Sequence, residues 1–425
     1  MWNRRSWLKC RPVGKGNEND FAPEAEKGSR AFRVVLGSLA PVQFQRIKQG
    51  AVAVKKLKVM ILANDTTYTY NLRNEIIERL ASDGHEVVVA SQPLLLQEEL
   101  KGLGCRLVNI ETNRHGTNPL SDLVLLMKFR KVLADEKPDV ALTYNIKPNA
   151  YGGIACRMTK THYIPNITGL GTAVEYPGLM QKISTKLYKA GVAGADCIMF
   201  QNQENKQFFI DHHMMPKNAR TRLLPGSGVS LKVHKALDYP ADNGVINFLF
   251  IARVMAEKGI DLYLGAAKRI YEKHKNVMFH ICGQCDDEKY IGLLKEAEKS
   301  GYITYHGEQK DMVPFFEMAH CIVHPSYYPE GMSNVLLEAA AHCRPIIATD
   351  RAGCRETVDD GKSGYVIPIK DEEKLVDALE KFLAMSWEQK RDMGLAGRSK
   401  IEREFDRQIV VRAYVEEIER IYLSR

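Results

Sequence analysis

The chain has 425 residues, of which 45% are hydrophobic and 26% charged, a composition typical of folded globular proteins. A chain of this length is too long to form a single hydrophobic core, which indicates more than one domain. It has no run of eighteen apolar residues that would predict a membrane span, and its nine scattered cysteines indicate reduced thiols in a cytoplasmic enzyme instead of a disulfide framework. Residues 1–230 contain 32 Lys and Arg against 20 Asp and Glu, whereas residues 231–425 contain 28 against 32, so we expect two domains, the first of which meets an anionic partner.

The first part of the chain does not look like part of a folded domain. Residues 1–53 show no sustained hydrophobic period and no signal-peptide layout. Translation from a valine codon at Val54 would give MKKLKVMIL, a usual beginning for an α/β enzyme. We therefore expect residues 1–53 to be a disordered appendage or upstream sequence that is read through.

From Lys58 onwards, short apolar segments alternate with amphipathic segments, which predicts parallel β-strands covered by helices on both faces. A segment rich in glycine and proline at 224–244 interrupts this alternation and is read as a linker, after which a second series of strands begins. We predict two doubly wound α/β domains, residues 54–228 and 229–407, whose strands end facing each other across a cleft. Residues 408–425 are predicted to form a last amphipathic helix.

The stretch PEGMSNVLLE, residues 329–338, combines two carboxylates with a predicted helix start. Ser333 or Asn334 can cap this helix, and its exposed amides form an anion site suited to a phosphate. Gly331 would let a ligand approach the backbone. Glu330 in the loop and Glu338 in the helix would then accept hydrogen bonds from two separate sets of hydroxyl groups on one extended ligand. A sugar nucleotide has two such sets, one on its sugar and one on its ribose. A loop acid next to an ordinary helix acid is the alternative.

The stretch ARVMAEKG holds two basic residues at a strand-to-helix corner, Arg253 and Lys258. Fixed positive charge there would bind a diphosphate and would stabilise it more strongly as it leaves. Gly283 follows another strand, where a ligand could come close to the backbone. Cys282 and Cys285 form a C-x-x-C pair, but no second pair lies at a zinc-binding distance, so we predict no metal site.

The first domain lacks the glycine fingerprint G-x-G-x-x-G after its first strand, which argues against NAD or FAD. Polar and glycine residues instead follow several of its predicted strands, and we expect them to bind an acceptor. These predicted acceptor residues are Arg73, Asn145, Lys147, Asn149, Gly169 and Gly171. Beyond them Lys182, Lys186 and Lys189 recur at helical spacing next to apolar residues, so this helix either rests on an anionic membrane surface or is an ordinary solvated face.

Together these motifs resemble those of the family-4 retaining glycosyltransferases. Residues 329–368 are similar to that family's donor-site signature, and ARVMAEKG is similar to its phosphate motif. NPLSDLVLLMKFRKVLADEKPDV, YNIKPNAYGG and NITGLG further resemble the branch that builds capsular, O-antigen and glycan-precursor polysaccharides. The resemblance implies a GT-B fold with the donor in the second domain and the acceptor in the first, and a last helix that crosses back to the first domain. It also implies transfer with retention, without a metal ion or other cofactor.

In the family, the residue matching Glu330 contacts the donor sugar, and the residue matching Glu338 contacts the ribose. The residues matching Arg253 and Lys258 hold the diphosphate, so the resemblance implies catalytic roles for Arg253, Lys258 and Glu330. The donor-binding set that we predict is Gly283, Glu330, Gly331, Met332, Ser333, Asn334, Val335 and Glu338. Many members also carry a histidine in the first domain near the reacting carbon, and this sequence has none at the matching place. His115 and His162 lie nearby in the sequence, but neither aligns with that histidine.

We therefore expect a cytoplasmic, peripherally membrane-associated transferase that moves a hexose or N-acetylhexosamine from a UDP-sugar to a polyprenyl-diphosphate-linked saccharide. No nucleic acid partner is expected. A sugar-nucleotide 2-epimerase of the same architecture and an inactive sugar-nucleotide-binding subunit remain alternatives, and a dehydrogenase is the least favoured because the glycine fingerprint is absent.

Overall fold

The computed structural model describes residues 56–111, 119–171, 174 and 178–424, so the expected N-terminal extension and His115 lie outside the described residues. The strands are β1 Lys58–Asp65, β2 Glu86–Gln92, β3 Cys105–Asn109, β4 Val140–Tyr144, β5 His162–Ile167, β6 Ile198–Phe200, β7 Thr221–Leu223, β8 Ile246–Ile251, β9 Val277–Cys282, β10 Ile303–Tyr305, β11 Cys321–His324, β12 Ile346–Thr349 and β13 Gly364–Ile367. The α-helices are α1 Thr66–Ser82, α2 Gln97–Gly102, α3 Pro119–Glu136, α4 Gly153–Thr159, α5 Leu179–Val192, α6 Gln203–Asp211, α7 Ile260–Lys273, α8 Glu288–Glu298, α9 Val313–Met318, α10 Asn334–Ala341, α11 Glu372–Leu383, α12 Trp387–Glu404 and α13 Arg407–Leu423. A π-helical turn at Pro148–Gly152 precedes α4, and a 3-10 turn at Ala256–Lys258 precedes α7.

The first sheet has the strand order β3-β2-β1-β4-β5-β6-β7, and every pairing in it is parallel. Its central strands are continuous apolar runs because helices cover both faces; the residues from Val59 to Leu62, for example, are fully buried. The strand order reverses between β1 and β4. Open sheets of this kind bind ligands at the carboxyl edge beside such a reversal.

The second sheet has the order β10-β9-β8-β11-β12-β13 and is also parallel throughout. Its order reverses between β8 and β11. The residues that follow these two strands are the ARVMAEKG corner and the loop that leads into PEGMSNVLLE. The two motifs that are about seventy-five residues apart in the sequence are therefore neighbours at the reversal point.

The last helix, α13, packs on the first sheet although its sequence follows the second. Its apolar side chains belong to the same buried core as β1 and α1: Val410, Val411, Ala413, Tyr414, Val415, Ile418 and Ile421. The Glu417 carboxylate, 1% exposed, binds Arg220 at 2.7 Å and Arg420 at 2.7 Å. Hydrophobic burial and a buried ion cluster thus attach α13 to the first sheet.

The chain passes between the two sheets at two adjacent points. Val229 accepts a hydrogen bond from the Arg407 amide and donates one to Phe405, so the outgoing and returning segments run side by side. The predicted fold, two doubly wound α/β units with a C-terminal helix that crosses back, is confirmed. Across the described residues, the helices are all too short or too polar to traverse a bilayer.

Candidate active site

Lys258 and Glu330 form an ion pair at the reversal point of the second sheet. The Lys258 ammonium donates a hydrogen bond to Glu330 Oε1, and both side chains are largely buried. The aromatic ring of Tyr328 lies 4.8 Å from the same ammonium. The loop that carries Glu330 is also tied to the corner that carries Lys258, because the Tyr327 amide donates to the Glu257 carbonyl at 2.9 Å. The charges of Lys258 and Glu330 therefore neutralise each other at the carboxyl edge of the second sheet.

Arg253 lies just beyond the end of β8 and is exposed. Within the described part of the chain, its guanidinium makes no hydrogen bond or ion pair. An unpaired guanidinium at the carboxyl edge of a parallel sheet is available to a phosphate, to which it can donate two parallel hydrogen bonds.

The start of α10 has backbone amides without a backbone acceptor among the described residues, as the sequence predicted, but the amide of Ser333 is not one of them. Ser333 precedes the helix without capping it through its side chain, and its amide donates to the Gly353 carbonyl at 2.8 Å. The amides of Asn334 and Val335 have no backbone acceptor among the described residues. Of the amides predicted to bind an anion at this helix start, those of Asn334 and Val335 are open and that of Ser333 is already used.

Glu338 lies in the second turn of α10 and is half-buried. In the described structure its carboxylate has no hydrogen-bond partner. Burial raises the pKa of Glu338 to about 7, while the positive charge of Arg407 acts in the opposite direction. A partly buried carboxylate without a partner is costly unless a ligand binds it, so Glu338 can accept hydrogen bonds from ligand hydroxyl groups.

Gly283 has a structural reason that does not involve a ligand. Its φ is +149°, and a Cβ at this position would lie 1.8 Å from the Ala252 carbonyl oxygen. A glycine is required here because the backbone segments just beyond β8 and β9 lie very close together. The predicted close approach of a ligand to Gly283 has no support from this geometry.

Two of the predicted acceptor residues line a cavity in the cleft, together with residues from the second domain. Arg73 and Asn145 face this cavity of about 170 Å³, to which the second unit contributes Met332 and Asn334. The Arg73 guanidinium lies over the Tyr144 ring at 4.3 Å, which fixes its orientation. Asn145 has a φ of +72°, an uncommon conformation for a residue other than glycine and one that recurs at functional sites.

Two other predicted acceptor residues do not face this cavity. Asn149 is 1% exposed and links neighbouring strands, because it accepts a hydrogen bond from Thr143 and donates one to the Asn166 carbonyl. Lys147 forms an ion pair with Asp122 at 3.0 Å, beside α3. Both polar groups of Asn149 are used between these strands, so the geometry gives no support to the predicted acceptor contact, which stays a prediction. Lys147 points to a separate groove.

Gly169 and Gly171, the two glycines predicted to contact an acceptor, lie where the backbone is closely packed, and their contact with an acceptor stays a prediction. A Cβ at Gly169 would lie 3.1 Å from the Gly331 amide, and a Cβ at Gly331 would lie 2.3 Å from the Thr168 carbonyl oxygen. Gly169 and Gly331 are therefore needed where the loops from the two sheets touch. Gly171 has a φ of +73°, and a Cβ there would lie 3.1 Å from the Ile146 side chain.

Asn202 joins the first sheet to the loop that carries Glu330, and sequence analysis did not identify it. Its side-chain amide donates to the carbonyl oxygens of Gly331, at 2.6 Å, and Glu330, at 3.1 Å, while its oxygen caps α6. Its position after β6 would have been the available signal, because strand ends at this edge face the cleft.

His324 ends β11 and was also missed. It is 1% exposed, and neither of its ring nitrogens has a hydrogen-bond partner among the described residues. Burial lowers the pKa of His324 to about 4, so this imidazole is neutral beneath the Lys258–Glu330 pair. By contrast, His162 begins β5 and therefore lies at the amino edge of the first sheet, away from the cleft. It pairs with Asp196 at 2.9 Å.

No group of three or more His, Cys, Asp or Glu side chains is arranged to hold a metal ion in the described parts of the chain. Cys282 is buried in the core and Cys285 is half-buried, and both are free thiols. That the reaction needs no metal or other cofactor stays a prediction.

Two family models together match most of the chain. The model described as "Glycosyl transferases group 1" matches residues 238–400, and "Glycosyl transferase 4-like" matches residues 58–202. The two matches coincide with the second and first sheets, respectively.

Individual relatives resemble the chain over nearly their whole length. An N,N'-diacetylbacillosaminyl-diphospho-undecaprenol alpha-1,3-N-acetylgalactosaminyltransferase from Campylobacter jejuni is 24% identical, over 86% of this chain and 99% of the relative. The capsular polysaccharide biosynthesis glycosyltransferase CapM from Staphylococcus aureus is 25% identical, over 76% and 87% of the two chains. Anabaena Alr3699/HepE, solved in complex with UDP and glucose, has a TM-score of 0.69 at 13% identity, over 85% and 99%. The last likeness confirms the GT-B fold.

Proposed function

The chain belongs to the group 1 glycosyltransferases, and on that premise we propose that it transfers a sugar from a UDP-sugar to a polyprenyl-diphosphate-linked saccharide with retention at the anomeric carbon. The observation that carries this proposal is the Lys258–Glu330 pair beside the open helix start, across the cleft from Arg73 and Asn145. The donor sugar would be a hexose or an N-acetylhexosamine.

The geometry suggests how the donor binds. The diphosphate binds to Lys258, Arg253 and the amides at the start of α10, while a hydroxyl group of the sugar donates a hydrogen bond to Glu330. The ligand thus replaces the existing ion pair with two pairings of its own, and neither charge is left buried without a partner. Glu338, one turn further along, accepts the ribose hydroxyls.

The same residues stabilise the reaction as the UDP departs. Breaking the bond between the anomeric carbon and the phosphate oxygen adds negative charge to the diphosphate, so Lys258 and Arg253 bind the transition state more strongly than the donor. The acceptor hydroxyl enters on the same face from the side of Arg73 and Asn145, and it passes its proton to the departing phosphate oxygen as the new bond forms. No protein nucleophile is needed in this mechanism.

The names of the relatives support this choice of substrates. The Campylobacter enzyme acts on a saccharide linked through diphosphate to undecaprenol, and CapM belongs to capsular polysaccharide biosynthesis. The Anabaena structure contains UDP and glucose. We accordingly propose a role in the synthesis of a bacterial surface polysaccharide or glycan precursor, at the inner face of the cell membrane. The feature that favours an inactive subunit is the missing histidine in the first domain, and release of UDP that depends on the acceptor would exclude this alternative.

Thermal unfolding with added nucleotides tests the donor site. A ligand at about one hundred times its dissociation constant should add roughly 2.7 kcal/mol to the free energy of unfolding. We expect UDP to raise the Tm more than GDP, ADP or NAD, and Glu338→Ala to remove this effect. Glu317→Ala, at an exposed position of α9, is the matched control. Stabilisation by NAD alone, or by none of these nucleotides, would overturn the proposal.

A further inference from the structure

The first half of α3 exposes a continuous apolar stripe. Leu120, Leu123, Val124 and Met127 follow the i, i+3, i+4, i+7 spacing of one helix face and are 44–74% exposed. The opposite face of α3 is buried, with Phe129 and others in the core. Folding therefore accounts for one face of this helix and leaves the other unexplained, since a run of large apolar side chains on a helix surface marks an interaction site.

A second helix repeats this arrangement. At the start of α5, Leu179, Met180 and Ile183 are 43–73% exposed, and the next turns expose Lys186 and Lys189. In α3, likewise, the apolar stripe is followed by two exposed bases, Arg130 and Lys131, and an exposed acid, Asp135, lies one turn further on. Each helix thus has an apolar N-terminal part followed by a basic part.

The two apolar parts lie at the same edge of the same sheet face. Both α3 and α5 cover the face opposite to α1 and α13, and they flank the π-helical turn and α4. Each helix connects two parallel strands, so each begins at the carboxyl edge and runs back to the amino edge. That carboxyl edge is the one that borders the cleft.

The charge of this surface, defined as the exposed faces of α3 and α5, is positive. The two helices, Pro119–Glu136 and Leu179–Val192, contain six Lys and Arg against three acids, Asp122, Asp135 and Glu136, and Glu136 is paired with Arg106. Asp122 is already paired with Lys147 at 3.0 Å and accepts a hydrogen bond from Tyr151. Across the described residues, no ion pair involves the five bases at positions 130, 131, 182, 186 and 189.

We infer that the exposed faces of α3 and α5 dock on an anionic lipid bilayer. The apolar N-terminal parts enter the boundary between head groups and acyl chains, and the basic turns behind them lie at the level of the lipid phosphates. Docking in this orientation puts the mouth of the cleft at the membrane surface. The inference deepens the proposed function and rests on it in one respect, because a lipid-linked acceptor is reached only there.

Charge argues against a second copy of the chain as the occupant. A two-fold symmetric dimer through this face would place two surfaces of the same net positive charge against each other, since Lys and Arg outnumber the acids of these helices six to three. An anionic bilayer provides the opposite charge to the bases and an apolar layer to the stripe.

The test is co-sedimentation of the full chain with vesicles, some of pure phosphatidylcholine and some that also contain phosphatidylglycerol. We expect binding only to the anionic vesicles. The double variant Leu123→Ser/Met127→Ser should lower the partition coefficient at least about tenfold, since each buried side chain contributes apolar area. Lys182→Gln/Lys186→Gln should lower it on the order of twentyfold, at roughly fivefold per base. Matched controls on the second unit, Leu293→Ser/Leu395→Ser and Lys268→Gln/Lys295→Gln, should bind like the parent protein.

Two further measurements separate this inference from the proposed function. The UDP-dependent rise in Tm should be unchanged in all four variants, which also shows that they fold. Undiminished vesicle binding by the α3 and α5 variants, or equal binding to neutral vesicles, would overturn the inference. A change of oligomeric state in the α3 variant would also overturn it, because a second copy would then be the occupant. If the nucleotides fail to bind but the vesicle results hold, only the proposed function fails.

Discussion

Glu417 attaches the last helix to the first sheet, and replacing it with glutamine should weaken this attachment in a pH-dependent way. Its carboxylate is 1% exposed and pairs with Arg220, Arg222 and Arg420. Burial acts to raise the pKa of Glu417, but the hydrogen bonds and charges of the arginines outweigh it and lower the pKa to about 2. The variant Glu417→Gln keeps the shape of the side chain and removes its charge.

The stabilisation follows from this pKa. Relative to the ordinary value of 4.5, a pKa of about 2 corresponds to about 3.4 kcal/mol at neutral pH. The arginine side chains are 30–51% exposed, and screening by solvent reduces the contribution to about 2 kcal/mol. Because the pKa is lower in the folded state, the contribution is complete above about pH 5 and is lost as the pH falls from there towards 2.

Thermal unfolding of the full chain between pH 3 and 8, followed by circular dichroism, measures this effect. At pH 7, about 2 kcal/mol should lower the Tm of Glu417→Gln by roughly 4–8 °C for a unit of this size. The difference should shrink steadily below about pH 5. Glu419→Gln, exposed two residues further along the same helix, is the control. Equal Tm values at pH 7, or a difference that does not depend on pH, would refute the reasoning.

Three predictions concern the cleft. Lys258→Ala should lower the turnover number roughly a hundredfold in a sugar-transfer assay, as loss of a transition-state donor does, whereas Lys268→Ala should not; near-normal turnover would exclude Lys258 from the mechanism. UDP affinity, measured by calorimetry, should fall by up to about tenfold per pH unit below pH 7 as Glu338 becomes protonated, and Glu338→Gln should lack this part of the dependence; the same pH profile in both proteins would contradict the assigned role. Asn202→Ala, which removes two hydrogen bonds to the loop at Gly331, should reduce kcat/KM by roughly tenfold with little change in Tm, and an unchanged kcat/KM would show that the contact does not position the loop.

Residues that follow neighbouring strands of the same sheet could be placed together from the sequence. The alternation of strands and helices indicates two parallel sheets, and the rule for carboxyl edges then brings Arg253, Lys258 and Glu330 to one place. The structure indeed pairs Lys258 with Glu330. The roles assigned to these residues in binding and transfer stay predictions.

Residues whose role depends on the other sheet could not be predicted. Asn202 and Glu330 are 128 residues apart, and nothing in the sequence near Asn202 indicates which carbonyl groups it binds. The predicted ligand contacts of Asn149 and Gly283 lack structural support for a related reason. A polar residue or a glycine at a strand end can serve a ligand or a neighbouring strand, and only the packed backbone distinguishes the two.

The return of α13 to the first sheet also sets an order for building the protein. The core of the first sheet includes seven apolar residues of α13, between Val410 and Ile421. Because a ribosome makes the chain from its N-terminus, the core of the first sheet cannot be completed until α13, the last helix, has been synthesised. The second sheet, whose strands and helices are contiguous, can close earlier. We therefore expect the half that is synthesised second to fold first, and chains that lose their last twenty residues to expose the apolar surface of the half that was synthesised first.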